Sequence, residues 1–259
     1  MNALFSRQRP LADGCRYVFL DCGANIGVHD RFLFEPERYP KSEYSRIVFK
    51  GTFPAVRKRT DVCSFAFEPN PRHSTYLNQL QDAYRRKGWR LTTFSAAVGA
   101  QDGTERFSHS ERPQDLQNNE WKFGSAAFWH KTYSHVWPNA TNHTVPTMDL
   151  AAFLNQHVHP RMIPSARLPT DPPPAVVMKM DVEGSEYATL AAMLVKGQLC
   201  QVSKISMEWH DFMCSGPLCA VSARFEELTR FVRSTPGCAN LTLVMFDDES
   251  YRLSRFPFP

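Results

Sequence analysis

Three apolar runs in this chain each lead to a carboxylate, and no other feature narrows the fold so much. Tyr17-Val18-Phe19-Leu20 runs into Asp21, Val62 to Phe67 into Glu68, and Ala175 to Met180 into Asp181. Short, largely apolar runs read as strands covered on both faces, which is the habit of parallel sheets. After the second run the spacing becomes helical. Tyr76, Leu77, Leu80 and Tyr84 share one face behind Asn70 as N-cap and Pro71 in the first turn. Helices are also predicted over Met148 to Val158, with Leu150, Phe153 and Leu154 on one face, over Glu186 to Val195, closed by Gly197, and over Ala223 to Val232. Further strands are predicted at Leu91 to Val98, Val202 to Glu208 and Leu241 to Phe246. Strands alternating with helices mean βαβ units, a largely parallel sheet and right-handed crossovers. The last strand followed by Tyr251-Arg252-Leu253 reads as a hairpin, so one edge strand is expected to be antiparallel.

Composition agrees with one α/β domain. The chain has 259 residues, 42% of them hydrophobic and 22% charged, which excludes collagen-like, coiled-coil and disordered classes. A single domain over 1–259 is expected, with a core over 17–255, an insertion over 31–60 and an irregular segment over 104–174. Pro169 to Pro174 reads as a stiff surface linker. Thirty basic against 26 acidic residues leave a formal charge of +4, short of the dense basic face of a nucleic-acid binder. No membrane span is expected, because no apolar stretch approaches the roughly 18 residues required. Residues 1–16 contain no apolar signal-peptide region. Reduced thiols and a cytoplasmic setting are the expectation. The alternative is a secretory lumen, for which Asn139-Ala140-Thr141, Asn142-His143-Thr144, Asn240-Leu241-Thr242 and the neighbours Cys214 and Cys219 would be suited.

Chemistry in an open α/β sheet belongs beyond the carboxyl ends of the strands. Asp21-Cys22-Gly23-Ala24-Asn25-Ile26-Gly27 is a glycine-containing turn at such an end. It lacks the G-x-G-x-x-G spacing that presents helix N–H groups to a pyrophosphate, which counts against a nicotinamide oxidoreductase. It suits a nucleoside carrying an amino acid and no phosphate, as S-adenosylmethionine does. Glu68 can accept both ribose hydroxyls. The gap from Asp21 to Glu68 exceeds the about 20 residues of a compact unit, and the excess is the insertion with Arg46, Lys50, Arg57, Lys58 and Arg59. A lid, a basic docking surface or a solvated loop would each account for it. Lys179-Met180-Asp181-Val182-Glu183-Gly184-Ser185-Glu186 crowds carboxylates and a lysine at a third strand end, and Glu208-Trp209-His210 closes a fourth. Carboxylates so close repel one another and need a ligand, a lysine or a proton.

Taken in order, the Asp21–Gly27 turn, Phe67-Glu68-Pro69-Asn70-Pro71, Ala96-Ala97-Val98-Gly99, Thr147-Met148-Asp149-Leu150, the Lys179–Glu186 run and Glu208-Trp209-His210 resemble the motifs of FkbM-type methyltransferases. The resemblance runs from Val18 to Phe246. It implies the class I methyltransferase fold: a Rossmann-like three-layer sandwich around a mostly parallel seven-stranded sheet with an antiparallel edge strand. It also implies S-adenosyl-L-methionine as donor and O-methylation of a sugar or small natural-product acceptor. Carried over by position, Asp21, Gly23, Ala24, Asn25 and Gly27 would wrap the methionine part. Glu68 would hold the ribose, Ala97 would lie near adenine, and Asp181 beside the methionine amine.

For the acceptor proton, Asp181, Glu183 and His210 are the candidate bases, and Glu183 is preferred because Asp181 is taken by the cofactor. A divalent Mg²⁺ or Mn²⁺ on Asp181, Glu183, Glu208 and His210 is a second reading; no metal is assigned. A nucleoside-binding module without turnover is the non-enzymatic alternative. The aromatic residues Trp121, Phe123, Phe128, Trp129, Tyr133 and Trp137 would form either a sugar-stacking surface or a small subcore. The partner expected is a small-molecule or glycan acceptor, with no nucleic acid.

Overall fold

The computed structural model describes residues 9–53, 60–109, 123–125, 141–166, 168–208, 210, 230, 233–238 and 240–246. The three carboxylate-tipped runs are the central strands of one sheet. Strand β1 (Tyr17–Cys22) pairs in parallel with β2 (Val62–Phe67) on one side and with β8 (Ala175–Met180) on the other. Beyond them lie β3 (Arg90–Phe94), β9 (Lys204–Met207) and β10 (Thr242–Met245), giving the parallel order β10-β9-β8-β1-β2-β3. The chain runs outward from β1 to β3 and then returns to β8, so strand order reverses between β1 and β8. That is the crevice where such sheets bind ligands.

All six positions of β1, β2 and β8 are buried, because both faces of the sheet are covered. Val18, Leu20, Phe65, Val176 and Met178 pack with Leu150 and Phe153 of α3 (Leu150–Phe153) and with Leu190 and Met193 of α4 (Glu186–Val195). Tyr17, Phe19, Val62 and Val177 pack on the other face with Val28 and Phe32 of α1 (Val28–Phe34) and Leu80 and Tyr84 of α2 (Pro71–Arg86). The result is three layers. Asn70 caps α2 as expected, its Oδ1 accepting from Arg72 N at 3.1 Å with Pro71 in the first turn. Helix α3 is a single turn that runs on as a π-helical turn over Leu154–Val158.

One predicted strand is two. Leu91 to Val98 breaks at a bend over Ser95-Ala96, and β4 (Ala97–Gly99) leaves β3 for a second, mixed sheet of order β4-β7-β5-β6. That sheet comprises β4, β5 (Gly103–His109), β6 (Gly124–Ser125) and β7 (Thr141–Asp149), and it orders much of the segment expected to be irregular. The run Pro169–Pro174 is tied down, since Tyr17 Oη donates to the Pro172 carbonyl at 2.7 Å.

The segment after α1 is a layer of the core. Tyr39, Tyr44, Val48, Phe49 and Phe53 are buried against Tyr17 and Phe19 of β1, so its described part is neither a lid nor a solvated loop. Contacts centred on Glu35 tie it to α1 and α2. Arg31 is fully buried, its Nε on Glu35 Oε1 at 3.0 Å and its Nη1 on Tyr76 Oη at 2.9 Å. Tyr84 Oη donates to the same Glu35 oxygen at 2.6 Å, and Arg38 Nη1 to the other at 2.6 Å. Arg46 pairs with Glu43. Arg57, Lys58 and Arg59 lie outside the described residues.

The expectation of reduced thiols is corrected at four positions. Cys15 is bonded to Cys63 and Cys200 to Cys238, while Cys22 is free and buried. The first pair lies at the start of neighbouring strands with Cα atoms 5.8 Å apart, within disulfide reach. Cys214, Cys219, the helix over Ala223 to Val232 apart from Arg230, the hairpin at Tyr251-Arg252-Leu253, Asn139 and all the singled-out aromatics except Phe123 lie outside the described residues. Phe123 stacks on Phe107 at 5.0 Å beside Ala97 and Val145, a small apolar cluster. Among the described residues, no helix is long and apolar enough to cross a membrane.

Candidate active site

Register brings the motif residues to one edge. Cys22 pairs with Phe67 on one side and Met180 on the other, and Met180 pairs with Met207. The residue after each of these strand ends therefore stands at the same level. Gly23 N donates to Phe67 O at 3.0 Å, Asp181 N to Cys22 O at 3.1 Å, and Glu208 N to Met180 O at 3.0 Å. Gly23, Glu68, Asp181 and Glu208 thus line the carboxyl edge on both sides of the switch point.

In the glycine turn, Gly23 has φ +83°, and a Cβ there would stand 1.8 Å from the Asp181 carbonyl oxygen. Its close approach is to the protein's own backbone. Gly27, at φ +73°, is pressed by Leu80 of α2 in the same way. Between them Asn25 is left-handed at φ 53°, which aims its N–H at Glu68 Oε2, 2.7 Å away. Glu68 Oε1 accepts from Asn70 N at 2.8 Å. One buried carboxylate thus joins the first turn to the second, using one lone pair on each oxygen and leaving the others available. Beside it, Asn25 Oδ1 and Asn70 Nδ2 are buried without a hydrogen-bond partner among the described residues. Ala24 is buried, its N–H on the Phe67 carbonyl. Ala97 stands at the start of β4 and packs against Phe107 and Val145.

Asp21 is fully buried beneath the turn, facing His29 Nδ1 at 4.0 Å and Asp30. Burial and the neighbouring Asp30 carboxylate raise its pKa well above the ordinary range. Burial also raises Asp30 to about 7, against the hydrogen bond it accepts from Ser64 Oγ and the attraction of Lys179.

The densest cluster gathers around β8 and β9. Lys179 Nζ donates to Gly23 O at 2.7 Å and Asp181 Oδ2 at 2.8 Å. Burial opposes its charge, but Asp181 and Asp21 hold its pKa above the ordinary value. His210 is buried, with Nδ1 2.7 Å from Glu186 Oε1 and Nε2 3.4 Å from Glu208 Oε1 and 3.7 Å from Asp181 Oδ1. Burial alone would lower its pKa; hydrogen bonds to Glu186 and Glu208 and the charge of Glu183 overcome that and raise it to about 11. Glu183, left-handed at φ 55°, is raised to about 8 by burial and by Asp181, against the attraction of His210. Asp181, Glu183 and His210 each bring a donor atom within 4.8 Å of the other two.

The structure therefore groups Asp181, Glu183, Glu208 and His210, sets Gly23, Asn25 and Glu68 beside them, and buries Asp21 below. Trp209 lies outside the described residues. Sequence reasoning gave Glu186 and Lys179 no role of their own within the crowded Lys179–Glu186 run, and read Asn70 only as a helix cap. Glu186 offers no local signal, since its partner His210 is 24 residues away. Lys179 carried its own signal: a lysine inside a buried strand needs an anion nearby.

The family model described as the methyltransferase FkbM domain matches residues 21–235. The chain belongs to that family. Among solved structures, the methyltransferase FkbM from Methylobacillus flagellatus KT matches with 16% identity and a TM-score of 0.33, over 71% of this chain and 30% of that one. This chain thus spans less than a third of that protein's length. No curated protein matches. As a member of the family the chain carries a methyltransferase FkbM domain on a Rossmann-like α/β fold.

Proposed function

We propose that this chain transfers a methyl group from S-adenosyl-L-methionine to a hydroxyl oxygen of a sugar or other small acceptor. The observation that carries the reading is the shared edge: Glu68, Asn25 and Asn70 on one side of the switch point, and the Asp181–Glu183–Glu208–His210 cluster on the other. The unsatisfied Asn25 Oδ1 and Asn70 Nδ2 are an acceptor and a donor of the kind a nucleoside satisfies, so these residues fit the cofactor. When bound, S-adenosyl-L-methionine supplies a methyl group on a positively charged sulfur.

The chain's own residues do the rest. Glu68 takes the ribose hydroxyls on the lone pairs its backbone bonds leave open. Asp181, fixed by Lys179, takes the methionine amine, and the turn from Asp21 to Gly27 with Ala24 shapes the wall around the amino acid. Ala97 borders the adenine side. Glu183, beside Asp181 and half-buried, removes the acceptor proton. Holding the acceptor oxygen about 3 Å from the methyl carbon supplies most of the advantage. Residues 1–259 act as one domain. The Cys15–Cys63 and Cys200–Cys238 disulfides favour maturation in an oxidising compartment over the cytoplasm.

Thermal denaturation with S-adenosylhomocysteine tests the reading. Saturation near 100 times the dissociation constant should stabilise the chain by about 2.7 kcal/mol, and NAD should leave it unmoved. A shift with NAD and none with S-adenosylhomocysteine sinks it. Glu183→Gln should keep the cofactor shift and lose turnover on hydroxylated acceptors; full turnover removes Glu183 as base.

A further inference from the structure

We propose that Asp181, Glu183, Glu208 and His210 bind one divalent cation of the Mn²⁺ or Mg²⁺ type beside the methyl-transfer site. The inference rests on the reading above for what the cation does there, but not for whether it binds.

The spacing around His210 Nε2 is compatible with donors that share one cation. Two donors about 2.1–2.2 Å from one cation, at angles of roughly 90–120°, stand about 3.0–3.8 Å apart. His210 Nε2 is 3.4 Å from Glu208 Oε1 and 3.7 Å from Asp181 Oδ1. Glu183 adds a carboxylate oxygen inside the same 4.8 Å group.

A separate observation concerns the far side of the ring. Nδ1 of His210 is held at 2.7 Å by Glu186 Oε1, and Glu186 is wholly buried with its Oε2 lacking a hydrogen-bond partner. Metal-binding histidines are oriented in this way: a carboxylate takes the outer N–H, fixes the tautomer and turns the other nitrogen inward. Glu186 is in turn held by the Val182 N–H at 3.3 Å, at the start of α4. A residue that served helix capping alone would have no need of an imidazole beneath it.

Charge points the same way. Asp181, Glu183, Glu186 and Glu208 converge, while Lys179 is committed to Asp181 Oδ2 and the Gly23 carbonyl. Three oxygen donors and one imidazole suit Mn²⁺ and Mg²⁺ better than a thiolate-seeking ion. Four protein donors in an octahedral shell leave two positions. An acceptor with two adjacent oxygens, such as a vicinal diol or an α-hydroxy acid, could fill both. Ligation would lower the pKa of the hydroxyl to be methylated, while Glu183 can ligate through one oxygen and keep the other as proton acceptor.

The test uses the whole chain, stripped with chelator, and Mn²⁺ alone as probe. Isothermal titration and loss of the free-Mn²⁺ electron paramagnetic resonance signal should both report one ion per chain, displaced by excess Mg²⁺. Glu186→Gln should weaken Mn²⁺ by about 10–100-fold by loosening the hold on the His210 ring, while S-adenosylhomocysteine binding changes less than about twofold, well inside the tenfold that 1.4 kcal/mol represents. His210→Ala should weaken Mn²⁺ by at least as much; should it fail to fold, Glu208→Gln serves instead, with the same direction of effect. No Mn²⁺ binding alongside intact S-adenosylhomocysteine binding overturns the cation and leaves methyl transfer standing. Mn²⁺ binding without S-adenosylhomocysteine binding overturns the methyl-transfer reading and leaves the cation.

Discussion

Replacing Glu35 by glutamine tests whether the segment after α1 is core or covering. The change keeps the shape and removes the charge. Glu35 is 3% exposed and Arg31 0%, so the pair is shielded from water on both sides. Removing one member of a buried ion pair costs about 3–5 kcal/mol, because the other charge stays behind uncompensated. Glutamine can still accept from Tyr84 Oη and Arg31 Nε, which places the expectation at the lower end, about 3 kcal/mol. The bond to Arg38 adds little, since that side chain is 42% exposed. At roughly 2–4 °C per kcal/mol for a chain of this size, the melting temperature should fall by about 6–12 °C. Calorimetry on the two proteins gives the number directly. A solvated loop would lose within about 0.5 kcal/mol, so a measured loss below about 1 kcal/mol refutes the packed-layer account. The pair Arg31→Met with Glu35→Met supplies the control. It should recover most of the loss, since an apolar pair of similar volume commonly matches a buried ion pair.

Three further outcomes follow from named contacts. Glu68→Gln weakens the acceptor of the Asn25 and Asn70 N–H groups, and S-adenosylhomocysteine should bind at least about tenfold less tightly by titration calorimetry, a loss of about 1.4 kcal/mol; unchanged affinity refutes the ribose role. Asp30, raised to about 7 among Asp21, His29, Ser64 and Lys179, binds its proton more tightly folded than unfolded. Its contribution is therefore present at acid pH and declines as pH rises from about 4 to about 7, by about 1.4 kcal/mol per unit at most. Asp30→Asn should flatten that decline in urea melts taken across the range, and an unaltered slope contradicts it. Without reductant, alkylation should leave Cys15, Cys63, Cys200 and Cys238 unmodified, and reduction should cost about 4 kcal/mol per bond for loops of 48 and 38 residues; four reactive thiols in the folded chain would contradict the pairing.

What the sequence could and could not disclose follows from which interactions are local. Parallel strands buried on both faces stay apolar to their last residue, and polar chemistry begins where cover ends, so Asp21, Glu68 and Asp181 mark strand ends unaided. The cap at Asn70 and the stop at Gly197 are local and were legible too. Leu91 to Val98 reads as one strand because both halves are extended, and an extended run does not say in which sheet each half pairs. The burial of Arg31 was not legible, because Tyr76, which accepts from its Nη1, lies on α2, beyond the insertion. The aromatic spacing of Tyr39, Tyr44, Phe49 and Phe53 was the better signal there. At the site, sequence gave the acids and the imidazole, while the Glu186–His210 contact needed α4 docked on β9's end.

The balance of charge at that end bears directly on catalysis. Under the proposed function the donor carries positive charge on sulfur before transfer and none after, so positive charge fades as the transition state is approached. Uncompensated carboxylates near the sulfur would favour the ground state over the transition state, which slows chemistry. Asp181, Glu183, Glu186 and Glu208 are useful there only if balanced. Lys179 balances one through its 2.8 Å bond to Asp181, and His210, or a cation in front of it, balances the rest. Removing Lys179 should therefore do more harm to turnover than to donor affinity. Lys179→Met would leave donor binding equal or tighter while turnover falls, and loss of both in proportion would mean that Lys179 only holds the Gly23 turn in shape.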